Sequence, residues 1–237
     1  NAGLSEAGGR WGTFLDHDDV IAPHALRLVR EALARNPDAL FLYTDELVVD
    51  DALRATGLML KPAYDPVLLT GVNYINHFSF YQRDRLAGIG NLRTGYDGSQ
   101  DYDLLLRYLE GIARERVLHL PYPAYWWRRT GHTYSRQFLD AATKAARTAI
   151  TDRFAREGVP VRVEGAITET LHRVLFDRAA TGWPRLSVII PSRNGYDLIS
   201  RVLNDLFEKT DYPALEVIVV DNGTTDTRVL DLYATYA

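Results

Sequence analysis

Three carboxylates stand within four residues, Asp16, Asp18 and Asp19, where the apolar run Gly12-Thr13-Phe14-Leu15 ends. Oxygen ligands so spaced suit one hard divalent cation, or the phosphates that such a cation carries. Asp16 and Asp18 are two apart, so on an extended chain both point the same way and Asp19 faces the other side. A second acidic set, Asp101 and Asp103, follows Ser99 and Gln100 at the start of a stretch whose Leu104, Leu105 and Tyr108 give it an apolar helical face. A carboxylate held at a helix start beside a pocket can take a proton from an incoming hydroxyl. Plainer uses stand beside these. Asp18 or Asp19 would cap a helix over 21–34 with Pro23 in its first turn, and acids in a first turn are favoured by the helix dipole by about 0.3–1 kcal/mol. The aromatic and basic run Tyr125-Trp126-Trp127-Arg128-Arg129 suits a sugar-diphosphate site, where rings pack on pyranose faces and guanidinium holds phosphate; it suits an aromatic core edge equally.

These residues need a scaffold, and the hydrophobic pattern describes an α/β one. Gly12–Leu15 and Ala39–Thr44 read as short buried strands that end in acids, and Asn76–Gln82 as a strand with alternating aromatics. Arg116–Leu120 and Ala124–Arg129 read as two further strands, 47–59 as a hairpin, and the proline-rich Lys61–Pro66 as a loop across the site. Gln137–Glu157 is an amphipathic helix, and Val159–Val163 with Leu171–Phe176 a small hairpin. At Trp183-Pro184 the chain starts afresh: Leu186–Ile190, a helix over Tyr196–Lys209 and Glu216–Val220 form a β-α-β unit with polar turns at both strand ends. It carries neither a G-x-G-x-x-G fingerprint nor a P-loop. The organisation expected is residues 1–135 as a metal and acceptor part, 136–183 as a helix-and-hairpin connector, and 184–237 as a nucleotide-binding part.

Composition narrows the class. The 237 residues carry a formal net charge of −4, with 46% hydrophobic and 24% charged residues, an ordinary globular balance. No basic stripe offsets phosphate charge, so nucleic acid is not an expected partner. The absence of cysteine excludes disulfides, thiol catalysis and zinc-thiolate sites, and suits a reducing compartment. No run approaches the ~18 apolar residues of a membrane span. A cytoplasmic location is the expectation.

Taken together the motifs carry a resemblance. LSVIIPSRN…EVIVVDNGTTD is similar to the opening of a family 2 glycosyltransferase of the GT-A fold; NAGLSEAGGRWGTFLDHDDVIAPHAL, LYTDE, KPAYDP, NYINH, GSQDYDLLLR and YWWRRTGHTYS resemble its remainder. Six motifs in order and spacing cover nearly the whole chain. More narrowly it resembles tandem bacterial enzymes of O-antigen and rhamnan synthesis, with the donor-binding half last, as in a piece spanning the end of one module and the start of the next. The resemblance implies a Rossmann-like mixed sheet with helices on both faces, assembled in permuted order within one chain or by segment exchange between two.

It also implies roles. Asp16 would lie toward the nucleotide ribose and Asp18 on a Mn2+ or Mg2+ ion bridging the diphosphate. Asp101 would be the catalytic base, with Gln100 where many members carry Glu. Pro191, Ser192 and Arg193 match the nucleotide-contacting turn, and Asp221 with Asn222 the pair reading the base. Trp127, Arg128 and His132 match a region closing over the diphosphate, His132 also as a metal ligand. The implied partners are a nucleotide-diphospho-sugar donor and a glycan or lipid-linked glycan acceptor, with the full-length protein at the inner face of the membrane. The chemistry is coherent: a cation on oxygen ligands neutralises the leaving diphosphate, and one separate carboxylate deprotonates the acceptor that attacks the opposite ring face. A nucleotidyltransferase on the same sheet, or a non-catalytic nucleotide-sugar-binding module, would use the same residues.

Overall fold

The computed structural model describes residues 1–129, 139–177 and 182–237, which form two compact units, Asn1–Phe176 and Asp177–Ala237. The first unit runs α1 (Ala2–Glu6), β1 (Trp11–Thr13), β2 (Val20–Ile21), α2 (Ala25–Arg35), β3 (Phe41–Val49), β4 (Ala55–Met59), α3 (Leu68–Gly71), β5 (Ser79–Gln82), α4 (Arg83–Gly88), α5 (Gln100–Leu109), β6 (Val117–Arg128), α6 (Leu139–Arg156), β7 (Val161–Gly165) and β8 (His172–Phe176). The second runs β9 (Leu186–Ser192), α7 (Tyr196–Asn204), β10 (Leu215–Asp221) and α8 (Thr227–Tyr236).

The main sheet has the order β1-β5-β3-β6-β2, with β4 also on β3. It is mixed: β3 and β6 are parallel, the other pairs antiparallel. β3 is its axis because Phe41, Leu42 and Tyr43 are all fully buried while successive side chains point to opposite faces. Phe41 and Tyr43 join the core formed with α5 and α6; Leu42 joins the other, with Val29 and Ala32 of α2. Helices therefore cover both faces, as expected of the fold class. β7 and β8 pair as the expected hairpin, and α6 packs on α5 and β7.

Several local expectations are corrected. Gly12–Leu15 is not a buried strand: β1 stops at Thr13, pairs among the described residues only with β5 at the sheet edge, and Phe14 and Leu15 lie exposed in the loop that leaves it. The helix expected from Ile21 begins at Ala25, because Val20 and Ile21 pair with Trp126 and Tyr125, and His24 takes a left-handed φ of 68° before the first turn. Arg116–Leu120 and Ala124–Arg129 are one strand, β6. Prolines 121 and 123 lack the N–H a ladder needs, and the register accommodates them by skipping from Thr44↔Leu120 to Asp45↔Pro123.

In the second unit β9 and β10 are parallel and in register from Leu186↔Leu215 to Ser192↔Asp221, the β-α-β unit read from the sequence. Ile190, Val217 and Val219 pack beneath Ile199, Leu203 and Val229 of the two helices, while Ile189, Ile218 and Val220 on the other face are exposed. Among the described residues these strands hydrogen-bond only to each other, and the pair closes its own small core through α7 and α8.

Candidate functional site

The acidic turn follows β1. Asp19 N donates to Asp16 O at 3.2 Å, so the chain bends between the two acids and is not extended. This separates Asp16 from Asp18, contrary to the expectation that they share one direction. Asp16 lines a cavity of ≈ 560 Å³ and faces His77 Nε2 at 3.7 Å; the Asp18 side chain is 59% exposed, with His17 Nδ1 at 3.9 Å. Asp19 braces the turn: its carboxylate accepts from the Tyr125 hydroxyl at 2.5 Å and from Arg128 N at 2.7 Å. The Arg128 guanidinium is tied to backbone too, on Asp18 O at 2.8 Å and Asp51 O at 3.0 Å, which makes it a strut for the loop. Trp127 packs on the His77 ring at 5.2 Å and carries Arg129 over its face. His132 lies outside the described residues.

Beneath Asp16 runs a buried polar chain that the sequence reading left unassigned. Glu46 and Lys61 have side chains 2% exposed and meet at 2.5 Å; Glu46 Oε2 also lies 3.1 Å from His77 Nδ1. Burial alone would raise the Glu46 carboxyl, but its bond to His77 and the Lys61 charge outweigh that and hold it below its ordinary value. For His77 burial lowers the pKa, but the Glu46 bond and the Glu46 and Asp16 charges outweigh it, so the ring stays protonated to a higher pH than usual. Lys61 also donates to Ile75 O, and to His77 O at 3.2 Å. Those carbonyls flank a strained turn, with Asn76 at φ 28° and Phe78 at φ 55°; a left-handed aromatic residue is uncommon and costs about 1–3 kcal/mol. Next door, Asp45 Oδ1 accepts from Lys61 N at 2.9 Å and lies 2.8 Å from His119 Nε2. The acids thought to end a strand at Thr44 are thus inside β3, each with a partner.

Asp101 lines the same cavity, in the first turn of α5. Burial raises its pKa, with Asp16 adding to the rise, and Asn73 Nδ2 donates to its Oδ2 at 3.2 Å. Asp103 does a different job. Its carboxylate is buried and grips Arg107 at 2.8 Å and Arg93 at 2.5 Å, and those bonds hold it in its charged form against the cost of burial. Ser99 sits at the N-cap position but does not cap; its hydroxyl donates to Ala142 O at 2.8 Å and ties α5 to α6. A Cβ on Gly98, whose φ is 81°, would come 2.9 Å from Ala142 Cβ, so glycine is what lets the two helices meet there.

The structure therefore brings Asp16 and Asp101 to one cavity with Gln100, His77 and Tyr125. Asp16, Asp19 and His77 offer ligand atoms within 4.8 Å of one another, a grouping that a single cation can bridge. Glu46 behind His77 gives that histidine the carboxylate partner that metal-ligating histidines usually have. Asp19 is already committed to Tyr125 and Arg128, which leaves Asp16 and, once a cation displaces the ring proton that Glu46 and Asp16 favour, His77 Nε2.

Pro191, Ser192, Arg193, Asp221 and Asn222 lie in the second unit, at the carboxyl ends of β9 and β10, where open α/β sheets receive ligands. Asn222 N donates to Ser192 O at 2.9 Å and Tyr233 to the Ser192 hydroxyl at 2.8 Å. The Asp221 carboxylate accepts from the Thr224 hydroxyl and from Thr224 N and Gly223 N, which holds its pKa low. Asn194 Oδ1 takes Thr225 N at 2.9 Å and Asp226 N at 3.0 Å, lacing the two turns together.

The sequence profile described as Glycosyl transferase family 2 matches residues 187–230, which is this β-α-β unit. The O-antigen biosynthesis protein RfbC of Myxococcus xanthus is 35% identical over 227 residues, 95% of this chain. Residues 187–230 thus carry the sequence pattern of glycosyl transferase family 2. An uncharacterized protein of Sinorhizobium fredii, y4gI, is 32% identical over 238 residues, 98% of the chain. The chain spans 26% of the length of y4gI and 17% of RfbC, so both relatives extend far beyond the stretch they share with it. Its mixed sheet with helices on both faces is the GT-A-like architecture of that family. Among the described residues no helix is long and apolar enough to cross a membrane.

Proposed function

We propose that the protein containing this chain transfers a glycosyl unit from a nucleotide-diphospho-sugar to a hydroxyl of a glycan or lipid-linked glycan, with inversion, in the assembly of a bacterial surface polysaccharide. The observation that carries the reading is Asp101: a carboxylate whose pKa is raised by burial, facing a cavity of ≈ 560 Å³ that also holds Asp16. A base works best when its pKa approaches the operating pH, and burial moves Asp101 that way. The acceptor oxygen forms a bond to the anomeric carbon while the bond from that carbon to the diphosphate breaks; the hydroxyl proton passes to Asp101. Attack on the face opposite the leaving group inverts the centre. Asp16 and His77 would hold a Mn2+ or Mg2+ ion, which when bound neutralises charge on the departing diphosphate. Asn73 orients the base, and Tyr125 with Arg128 keeps the acidic turn in shape. In the second unit, Pro191, Ser192, Arg193, Asp221 and Asn222 would read a nucleotide. The resemblance to the O-antigen protein supports the polysaccharide context.

The test is transfer by the full-length protein from a panel of nucleotide-sugars to a lipid-linked acceptor, with and without Mn2+. Asp101→Asn should abolish transfer while leaving donor affinity. Transfer that survives the substitution refutes the base, metal-independent transfer refutes the cation, and synthesis of a nucleotide-sugar from a nucleoside triphosphate makes the protein a nucleotidyltransferase.

A further inference from the structure

The buried ammonium of Lys61 has an arrangement that fold stability does not require. It lies in the loop Lys61–Pro66, between β4 and α3, and its three donors are spent on three acceptors: Glu46 Oε1, Ile75 O and His77 O. The last two are the carbonyls on either side of Asn76, the first of two left-handed residues flanking His77. Glu46 takes the other end of the chain at His77 Nδ1, and the ring then lies flat on Tyr125, 4.9 Å between centroids and 2° between planes, with Nε2 turned to Asp16. Backbone and ring angle are thus both set from Lys61 and Glu46. The same turn reaches the base: Asn73 Oδ1 accepts from Asn76 N at 3.2 Å while Asn73 Nδ2 donates to Asp101.

We propose that Lys61 is a positioning residue, whose ammonium pins the strained turn 75–78 so that His77 presents Nε2 to Asp16 in the cavity. A buried ion pair is a poor source of stability, since desolvating two charges offsets most of their attraction, whereas a strained turn at a site persists only when its surroundings over-determine it. Lys61 meets that second description: it does not itself line the cavity, and it reaches the lining through the turn that carries His77. The expected consequence for catalysis rests on the glycosyltransferase reading; the expected consequence for the His77 ring does not.

The experiment separates the two. Because Lys61→Met alone leaves the Glu46 charge unpaired and can unfold the protein, the double variant Lys61→Met/Glu46→Leu is made beside it, replacing the pair by apolar side chains of similar size. In the full 237-residue chain the His77 ring Cε1–H signal, assigned with His77→Gln, is recorded by NMR. Stacked on Tyr125 it should be one line displaced by ring current, and in the double variant it should move to the position of a free histidine while the remaining methyl and amide signals stay native-like. In the full-length protein, kcat for transfer should fall on the order of 10–100-fold, the size seen when an outer partner of a ligating histidine is removed, and adding His77→Gln should cost nothing further. An unmoved His77 signal in a folded double variant overturns the proposal. So does a moved signal with independent, multiplying losses from the Lys61 and His77 changes. If Asp101→Asn leaves transfer intact, the functional reading fails while the ring signal still decides Lys61.

Discussion

The hydroxyl of Tyr125 donates to Asp19 Oδ2 at 2.5 Å, joining β6 to the acidic turn 106 residues earlier. The Tyr125 hydroxyl oxygen in turn accepts from Asp16 N at 3.3 Å, so one phenol holds both ends of the turn. Tyr125→Phe removes a hydrogen bond to a charged group, a loss of about 1.5–3 kcal/mol. Urea unfolding should show that decrease with an unchanged m-value; a change below about 0.5 kcal/mol would mean that Arg128 N alone suffices to hold Asp19.

Asp101→Asn should separate function from stability. Loss of a general base lowers the rate by about 100- to 10,000-fold. The stability effect depends on pH. A carboxyl whose folded pKa is raised contributes stability that is complete below its unfolded pKa and lost as pH rises through the folded value. The parent therefore loses stability as pH rises from the ordinary carboxylate range through the folded value, and the variant, which cannot titrate, does not. Paired melting curves across pH check this: the variant should gain on the parent as pH rises, and a difference between the two that does not change with pH contradicts it.

Asp103 is the contrasting acid. It is 1% exposed and neutralised by Arg93 and Arg107, and removing one partner from such a group costs about 3–5 kcal/mol. Asp103→Asn should destabilise by that order in denaturant. Whatever protein still folds should keep its affinity for donor, because Asp103 is not among the residues lining the cavity.

Donor binding should be visible in the melting temperature. A nucleotide-sugar at 100 times its Kd stabilises by about 2.7 kcal/mol, and the increment should shrink with Ser192→Ala, which removes the hydroxyl that Tyr233 holds at 2.8 Å. A full increment in that variant would take Ser192 out of the nucleotide site.

Much of the scaffold was legible in the sequence because apolar runs and their periods report local structure directly. The parallel pair of β9 and β10 and the helix bearing Asp101 follow from such patterns. What was not legible depends on partners distant in the chain. Whether Asp18 or His77 stands beside Asp16 is decided by a turn and by β5, 60 residues on, and nothing local marks it. Lys61 in a proline-rich loop looks like an exposed cation; only its contacts with Glu46 and the carbonyls of residues 75 and 77 show why it is buried. β6 was divided in two because prolines 121 and 123 obey a local rule that the bulge opposite Asp45 overrides.

The sheet order has a mechanical corollary. β1 and β2 lie at opposite edges, although only seven Cα steps separate Thr13 from Val20. Through the register, Thr13 is level with Leu42 of β3 and Val20 with Leu47, five residues further along. On a flat sheet that diagonal would span four strand spacings and five residue rises, about 25 Å. The connecting cord, shortened by its bend between Asp16 and Asp19, reaches only about 21 Å. The sheet can satisfy it only by curling, so the acidic segment acts as a bowstring whose length sets the curvature. An inserted residue would slacken the bow and open the cavity; a deletion would draw the edges together or tear β2 from its place beside Tyr125.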